Sequence, residues 1–342
     1  MRQLLRSGLD RTSLLWYGVA LVLFGGLLYL ADVGAVIDSI RRADPGYFAA
    51  AVVVGISSLL VWAWVWHRFF GQLSIEASWP KTVQLFLSGH FLNSVTPLGQ
   101  FGGEPVMAYL IAETTGDDYG RTLACVVSSD IVNAVPFFTF PLGGIVYLSL
   151  IGTVDGFLVE IGLVVLSVLA LGAGGTYLLW FDNGRLHRGV NGVLDWLEAR
   201  LDRGESVFES VRGSVREVAA AFEIAGNDPR FLLVTGSISH LAILAQIVSL
   251  YLVFLAMGIE PRVVPLYFIV TLSTIATLSP TPGGSGTYEA AFAGLLTLFY
   301  PVPLSTAVTA AVLFRLTTYW PGLLIGFGSF LTLETDVVGE RA

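Results

Sequence analysis

The sequence predicts an all-α integral membrane protein with about six full transmembrane helices and two oppositely oriented re-entrant helical hairpins, arranged as an inverted repeat. Three observations predict it. Hydrophobic residues make up 54% of the chain and charged residues only 13%, with a positive mean hydropathy, far from the soluble globular range. Uncharged runs of bilayer-crossing length recur along the chain. Two further apolar stretches are broken by Pro/Gly-rich segments that each carry a glutamate.

The first run, Thr12 to Ala31, follows Arg2, Arg6 and Arg11. It reads as a retained span because no convincing small-residue cleavage site follows. Pro45 to Trp66, Ile131 to Val154, Ile161 to Phe181, Phe231 to Ile259 and Leu316 to Leu333 come next. Each reaches or approaches the roughly 20 residues that cross a bilayer as helix. These runs do not alternate as barrel strands would, so strands are not expected.

Arginine placement sets the orientation, since basic flanks are retained in the cytoplasm. The three early arginines put the N-terminus inside, and a final span of roughly Pro303 to Leu333 brings the C-terminus inside. The whole chain, 1-342, reads as one polytopic domain of the cell membrane with halves of about 1-155 and 156-342. The longest polar segment, Asp182 to Arg230, holds seven arginines and nine acidic residues and is expected to be a cytoplasmic amphipathic helical loop.

Between the second run and that loop, Val83 to Val95 and Pro105 to Ala112 are each too short and polar to span alone. With Thr96 to Pro105 between them they make a re-entrant hairpin, allowed at depth only where protein or a wet cavity covers the broken backbone. Lys81 and Arg121 flank it, so it enters from inside. Val263 to Ser279 and Thr287 to Phe299 form the second hairpin, which enters from outside.

The two breaks match. Pro97, Gly99 and Glu104 recur as Pro282, Gly284 and Glu289 at the same spacing, in segments of opposed entry. Such paired interruptions point to an inverted-repeat transporter with its site near the midplane. Broken half-helices expose backbone N–H groups whose partial positive charge favours anions. Glu289 then has three readings: a cap for the resumed helix, a proton or cation carrier, or a counter-charge to a basic group.

LSPTPGGSGTYEAAF (Leu278 to Phe292) and TPLGQFGGEPVMAYLI (Thr96 to Ile111) resemble the two signature motifs of the flippase-like integral membrane family, the transmembrane region of lysylphosphatidylglycerol synthases. FRLTTYWPGLLIG, Phe314 to Gly326, is similar to that family's last span. The resemblance covers nearly the whole chain. It implies movement of a lipid-linked head group, such as aminoacylated phospholipid or a polyprenyl-phosphate sugar, between leaflets. A separate lipid-modifying enzyme or glycosyltransferase is the implied partner. The chain departs from the family where a basic residue often follows GGEP, having Pro105, Val106 and Met107, and where a Glu-Arg pair often precedes the aspartate at Asp130, having Val126, Val127, Ser128 and Ser129.

The expected substrate-binding set is therefore Pro97, Gly99, Gly102, Gly103, Glu104 and Asp130 from the first half. Pro280, Pro282, Gly283, Gly284, Gly286, Glu289 and Arg315 complete it from the second. Arg315 lies deep in the last span, where a charge costs roughly 2.5–3.5 kcal/mol and needs a partner; Asp130, Glu104 and Glu289 are the candidates. A structural ion pair and a guanidinium reserved for lipid phosphate both fit it. His90, Asn93, His240 and Gln246 read as interhelical hydrogen bonders.

Other classes are not supported. Cys125 is the only cysteine, and His67, His90, His187 and His240 show no metal-ligand spacing. No phosphate-binding loop or nucleophile elbow occurs, so no enzyme activity, cofactor, metal or nucleic-acid partner is expected. A proton- or ion-coupled carrier of a small solute, or an accessory subunit of a membrane-embedded lipid transferase, is the alternative.

Overall fold

The computed structural model describes residues 11–95, 100–150, 156–180 and 219–339. In chain order the helices are α1 (Arg11–Leu30), α2 (Val33–Arg42), α3 (Pro45–Gln72), α4 (Trp79–Val95), α5 (Gln100–Thr115) and α6 (Tyr119–Leu150). They continue as α7 (Gly156–Trp180), α8 (Pro229–Ala256), α9 (Val263–Ile275), α10 (Thr287–Phe299) and α11 (Leu304–Gly339). Two 3-10 turns, Ala276–Leu278 and Pro282–Gly284, link α9 to α10. No strand occurs among the described residues. Helices α3, α6, α8 and α11 are long and apolar enough to cross a membrane singly, and α1 with α2 forms a pair bent by 80° that counts as one more.

Helix starts are written as Asp-Pro and Asp-x pairs. Asp44 Oδ1 accepts from Gly46 N (2.8 Å) and Tyr47 N (3.0 Å), with Pro45 in the first turn of α3. Asp228 does the same for α8 through Arg230 N and Phe231 N, ahead of Pro229. Both use a carboxylate to satisfy orphan N–H groups and a proline that has none to lose.

Two elements differ from the expectation. Helix α6 begins at Tyr119, capped by Asp118, and so carries Asp130 inside it, whereas the sequence reading began that span at Ile131. A single charge does not end a helix when it faces protein. Helix α2 was not expected at all. Asp32 adopts φ 62°, caps Gly34 N and Ala35 N, and turns the chain sharply after α1. The short amphipathic helix that follows buries Val36 in the core, packs on α11 and leaves Val33, Ile37 and Ile40 exposed.

The centre is held by small residues. A Cβ on Gly55 of α3 would fall 2.1 Å from Thr317 O of α11, so the two backbones touch. Ser249 Oγ of α8 sits 2.9 Å from both Ala51 O and Thr317 Oγ1, joining three helices. On the other face of α11, Gly322 and Gly326 admit α4: added Cβ atoms would meet His90 Nε2 at 2.8 Å and Leu87 O at 2.5 Å. Close approach through glycines four apart gains dispersion where lipid gives no hydrophobic drive between helices.

The second hairpin is closed at its base. Arg262, the residue before α9, donates its N–H to Tyr300 Oη at 2.8 Å, and its guanidinium reaches Phe299 O and lies over the Tyr300 ring at 4.5 Å. The expected loop from Asp182 to Arg230 lies outside the described residues except for 219–230, of which 219–226 are helical.

Candidate functional site

The tip of the second hairpin builds the site. After α9 the chain turns through Ala276–Leu278, passes Pro280 and turns again at Pro282–Gly284. Gly283 and Gly284 have φ of 56° and 66°, left-handed values that side chains resist. They are also crowded: a Cβ on Gly284 would come within 2.7 Å of Thr277 Cα, and one on Gly283 within 2.1 Å of Tyr319 Oη. These glycines let protein groups, not open space, approach the bare backbone. Hydroxyls satisfy the exposed polar groups here. Thr287 Oγ1 lies 3.0 Å from Ala276 O and 2.9 Å from Gly284 O, while Ser279 Oγ bridges to Thr281 and Thr287.

Glu289 stands in the first turn of α10. Its Oε2 accepts from Gly286 N at 2.7 Å, and its Oε1 accepts from Arg315 Nη1 at 3.1 Å. Arg315 Nη2 donates to Gly283 O at 2.9 Å. The guanidinium lies 3.8 Å from the Tyr319 ring centroid and 5.1 Å from that of Tyr288. Glu289 is 5% exposed and Arg315 4%, so the pair is fully inside the protein. Of the three carboxylates expected to compete for Arg315, it takes Glu289. The cap and the counter-charge, posed as separate readings of Glu289, are met by its two oxygens at once.

The first hairpin arrives at the same place. Tyr319 Oη is 3.5 Å from Ser94 O, and the end of α4 packs on the Pro282–Gly284 turn. Pro97 and Gly99 lie outside the described residues. Gly102 falls in the opening turn of α5, and Gly103 packs so close to α4 that a Cβ would lie 1.6 Å from Asn93 Oδ1. Glu104 and Asp130 do not join Arg315. Thr122 Oγ1 of α6 donates to Ala108 O of α5 at 2.8 Å, and this antiparallel register sets Asp130 about one turn from the level of Glu104. Trp66 Nε1 on α3 is buried with no hydrogen-bond partner among the described residues.

The expected residues therefore separate into a caged cation at the second tip and two carboxylates, Glu104 and Asp130, on the adjoining helices α5 and α6. Tyr288 and Tyr319 complete the cage and were not singled out in the sequence. Arg315 and Tyr319 are four apart on one helix, which places them on one face, so the spacing carried the signal. His240 is an interhelical bonder, as expected, with Nε2 2.8 Å from Thr139 Oγ1. His90 Nε2 and Asn93 Oδ1 have no hydrogen-bond partner among the described residues.

Sequence similarity to known proteins extends over about nine-tenths of this chain. A UPF0104 membrane protein of Pyrococcus horikoshii is 26% identical over 320 residues, covering 90% of this chain and 93% of the relative. One from Methanothermobacter thermautotrophicus is 26% identical over 329 residues, covering 92% and 90%. Glycosyltransferase AglD of Haloferax volcanii is 28% identical over 350 aligned positions, covering 92% of this chain but 54% of that protein. A family model described as the lysylphosphatidylglycerol synthase transmembrane region matches residues 15–326, which include both breaks and Arg315, and the chain belongs to that family of membrane proteins.

Proposed function

We propose that this protein moves a phosphate-bearing, lipid-linked head group between the leaflets of the cell membrane. One observation supports the reading: two broken helices from opposite halves converge on a buried arginine that is held by two acceptors, a carboxylate and a carbonyl. Broken helices at depth are costly, and their use in a protein this apolar fits a polar ligand that must visit the midplane. The guanidinium has the planar donor set that matches phosphate.

The accompanying topology has six crossings, α1, α3, α6, α7, α8 and α11, with hairpins α4–α5 entering from the cytoplasm and α9–α10 from outside. Both termini and the 182–230 loop are then cytoplasmic. The expected substrate-binding residues act as two groups in this scheme, with the second hairpin and Arg315 taking the anionic portion.

The relationship to glycosyltransferase AglD, in which the shared region is only 54% of the protein, supports a sugar-bearing polyprenyl phosphate as cargo and a glycosyltransferase as partner. The family description supports an aminoacylated phospholipid equally. The deciding experiment is leaflet-resolved lipid analysis of a deletion strain with an impermeant head-group label. Accumulation of one lipid on the cytoplasmic side names the cargo. An unchanged distribution of every labelled lipid rejects transport and favours an accessory role beside a lipid-modifying enzyme.

A further inference from the structure

Between α3 and α4 the outer surface carries a groove of about 390 Å³, lined by Leu60, Val61, Trp64 and His67 of α3 and Trp79 of α4. That size lies within the roughly 300–1,000 Å³ typical of small-molecule sites. Leu60, Trp64 and Trp79 are all exposed, so the groove opens outward, to lipid in a membrane. Leu60, Trp64 and Arg68 are four apart, and Val61 and His67 fall on the same face of α3. The groove therefore runs along α3 toward Arg68, which lies four residues, about 6 Å along the axis, before the helix ends at Gln72.

Two neighbouring helices fix the polar end. Arg68 Nε donates to Thr235 Oγ1 of α8 at 2.8 Å, and the guanidinium lies 5.0 Å from the Phe231 ring centroid. The Thr235 hydroxyl spends its own hydrogen on Phe231 O at 2.7 Å, which makes it an acceptor for the arginine. Among the described residues no carboxylate pairs with Arg68, whereas Arg121 and Arg315 each have one. On the α4 side, His67 Nδ1 is 3.0 Å from Thr82 Oγ1 and the imidazole meets the Trp79 ring edge-on at 5.6 Å. Thr82 gives its single hydroxyl hydrogen to Ser78 O at 3.1 Å, so His67 Nδ1 is the donor of that pair. Nε2 is then the ring atom left for a ligand, an acceptor in the neutral imidazole.

We propose that this groove is a resident site for one anionic phospholipid of the adjoining leaflet, separate from the Arg315 cage. One apolar chain lies along Leu60, Val61 and Trp64. The phosphate meets the outer nitrogens of Arg68, whose planar donor set suits it, and a head-group hydroxyl donates to His67 Nε2. The division of the site repeats that of the lipid: an apolar trough closed at one end by a cation without a carboxylate partner. Trp64 and Trp79 frame that end, where indoles and arginines favour the head-group level of a bilayer. A second copy of this chain would have to offer both an apolar ridge and an anion in the same order, which a phospholipid does by itself. The site does not depend on the transport reading.

The test is native mass spectrometry of the full chain in detergent, titrated with phosphatidylglycerol and with phosphatidylcholine of the same acyl chains. One phosphatidylglycerol is expected to bind at least about tenfold more tightly, the scale of a charge-assisted hydrogen bond. Arg68→Gln should bring it down to the phosphatidylcholine level, while Arg68→Lys keeps part of the preference. His67→Phe should weaken phosphatidylglycerol alone, and Leu60→Trp, which fills the groove, should weaken both lipids. Arg121→Gln removes a cation away from the groove and should change neither. Equal affinity for the two lipids in the wild-type chain overturns the proposal, as does a phosphatidylglycerol preference that survives Arg68→Gln. A lipid-free dimer that Leu60→Trp dissociates also overturns it and gives the groove to a second copy. If Arg68→Gln fails to fold by size exclusion, His67→Phe and Leu60→Trp decide, and unchanged binding in both rejects the site. Selective binding by a chain that moves no labelled lipid keeps the site and removes only the transport reading.

Discussion

Tyr319 Oη lies 3.5 Å from Ser94 O while the ring of the same tyrosine supports the Arg315 guanidinium at 3.8 Å. One side chain thus ties the end of α4, in the first half, to the charged centre of the second. Tyr319→Phe keeps the ring and loses the link. Transport is expected to fall several-fold with little change in melting temperature, whereas Tyr319→Ala, which also removes the stacked face, should melt lower and be inactive. Equal behaviour of the two variants in a flippase assay and a thermal melt would contradict this.

Glu289→Gln leaves an oxygen for Gly286 N but withdraws the charge facing Arg315. A buried cation that loses its partner costs about 3–5 kcal/mol at most, and the surviving amide hydrogen bonds should reduce that. The variant is expected to remain folded and to lose at least tenfold in activity. Arg315→Lys, which cannot reach both Glu289 and Gly283 O in the same plane, should also be defective. Normal rates for both variants at every pH would make the pair structural only.

Gly284→Ala should destabilise by about 1–3 kcal/mol, since its φ of 66° and the nearby Thr277 backbone both oppose a side chain. Gly294→Ala, on α10 with nothing within 4 Å of the added carbon, is the matched control and should be neutral or stabilising. Melting curves in detergent compare them.

Tyr300→Phe removes the acceptor for Arg262 N and frees the base of the second hairpin. A loss of about 1 kcal/mol is expected, with faster amide exchange across α9 and α10 and none across α3 and α8. Uniform exchange changes would show that the hairpin does not open as a unit.

Epitope tags at the N-terminus, within 182–230 and at the C-terminus are expected to be protected from outside reagents in intact cells. External labelling of the 182–230 segment would reverse the arginine-based orientation.

Much of the architecture was legible because lipid leaves a chain few options. Long apolar runs mark α3, α8 and most of α7, and the Pro/Gly breaks locate both hairpins to within a few residues. What escaped depends on side-chain partners that spacing does not encode. Asp130 hid the first part of α6, because an isolated aspartate looks like a boundary until its surroundings are known. Helix α2 turned on the unusual backbone of Asp32, a conformation non-glycine residues rarely adopt. The choice of Glu289 over Asp130 and Glu104 for Arg315 is a matter of tertiary reach. Gly322 and Gly326 did carry a readable signal, four residues apart on an apolar helix, and mark where α4 docks.

The Arg315 cage has a consequence for any anion that visits it. Both outer arms of the guanidinium are already engaged, one by Glu289 Oε1 and one by Gly283 O, and its faces are covered by two tyrosines. An incoming phosphate oxygen cannot simply add to this set; it has to replace one of the acceptors. Since those acceptors are also what hold the tip and the start of α10 in shape, capture is an exchange reaction in which the ligand takes over a structural role. Affinity at this centre is then a difference between two nearly matched hydrogen-bond sets, which allows release as readily as binding.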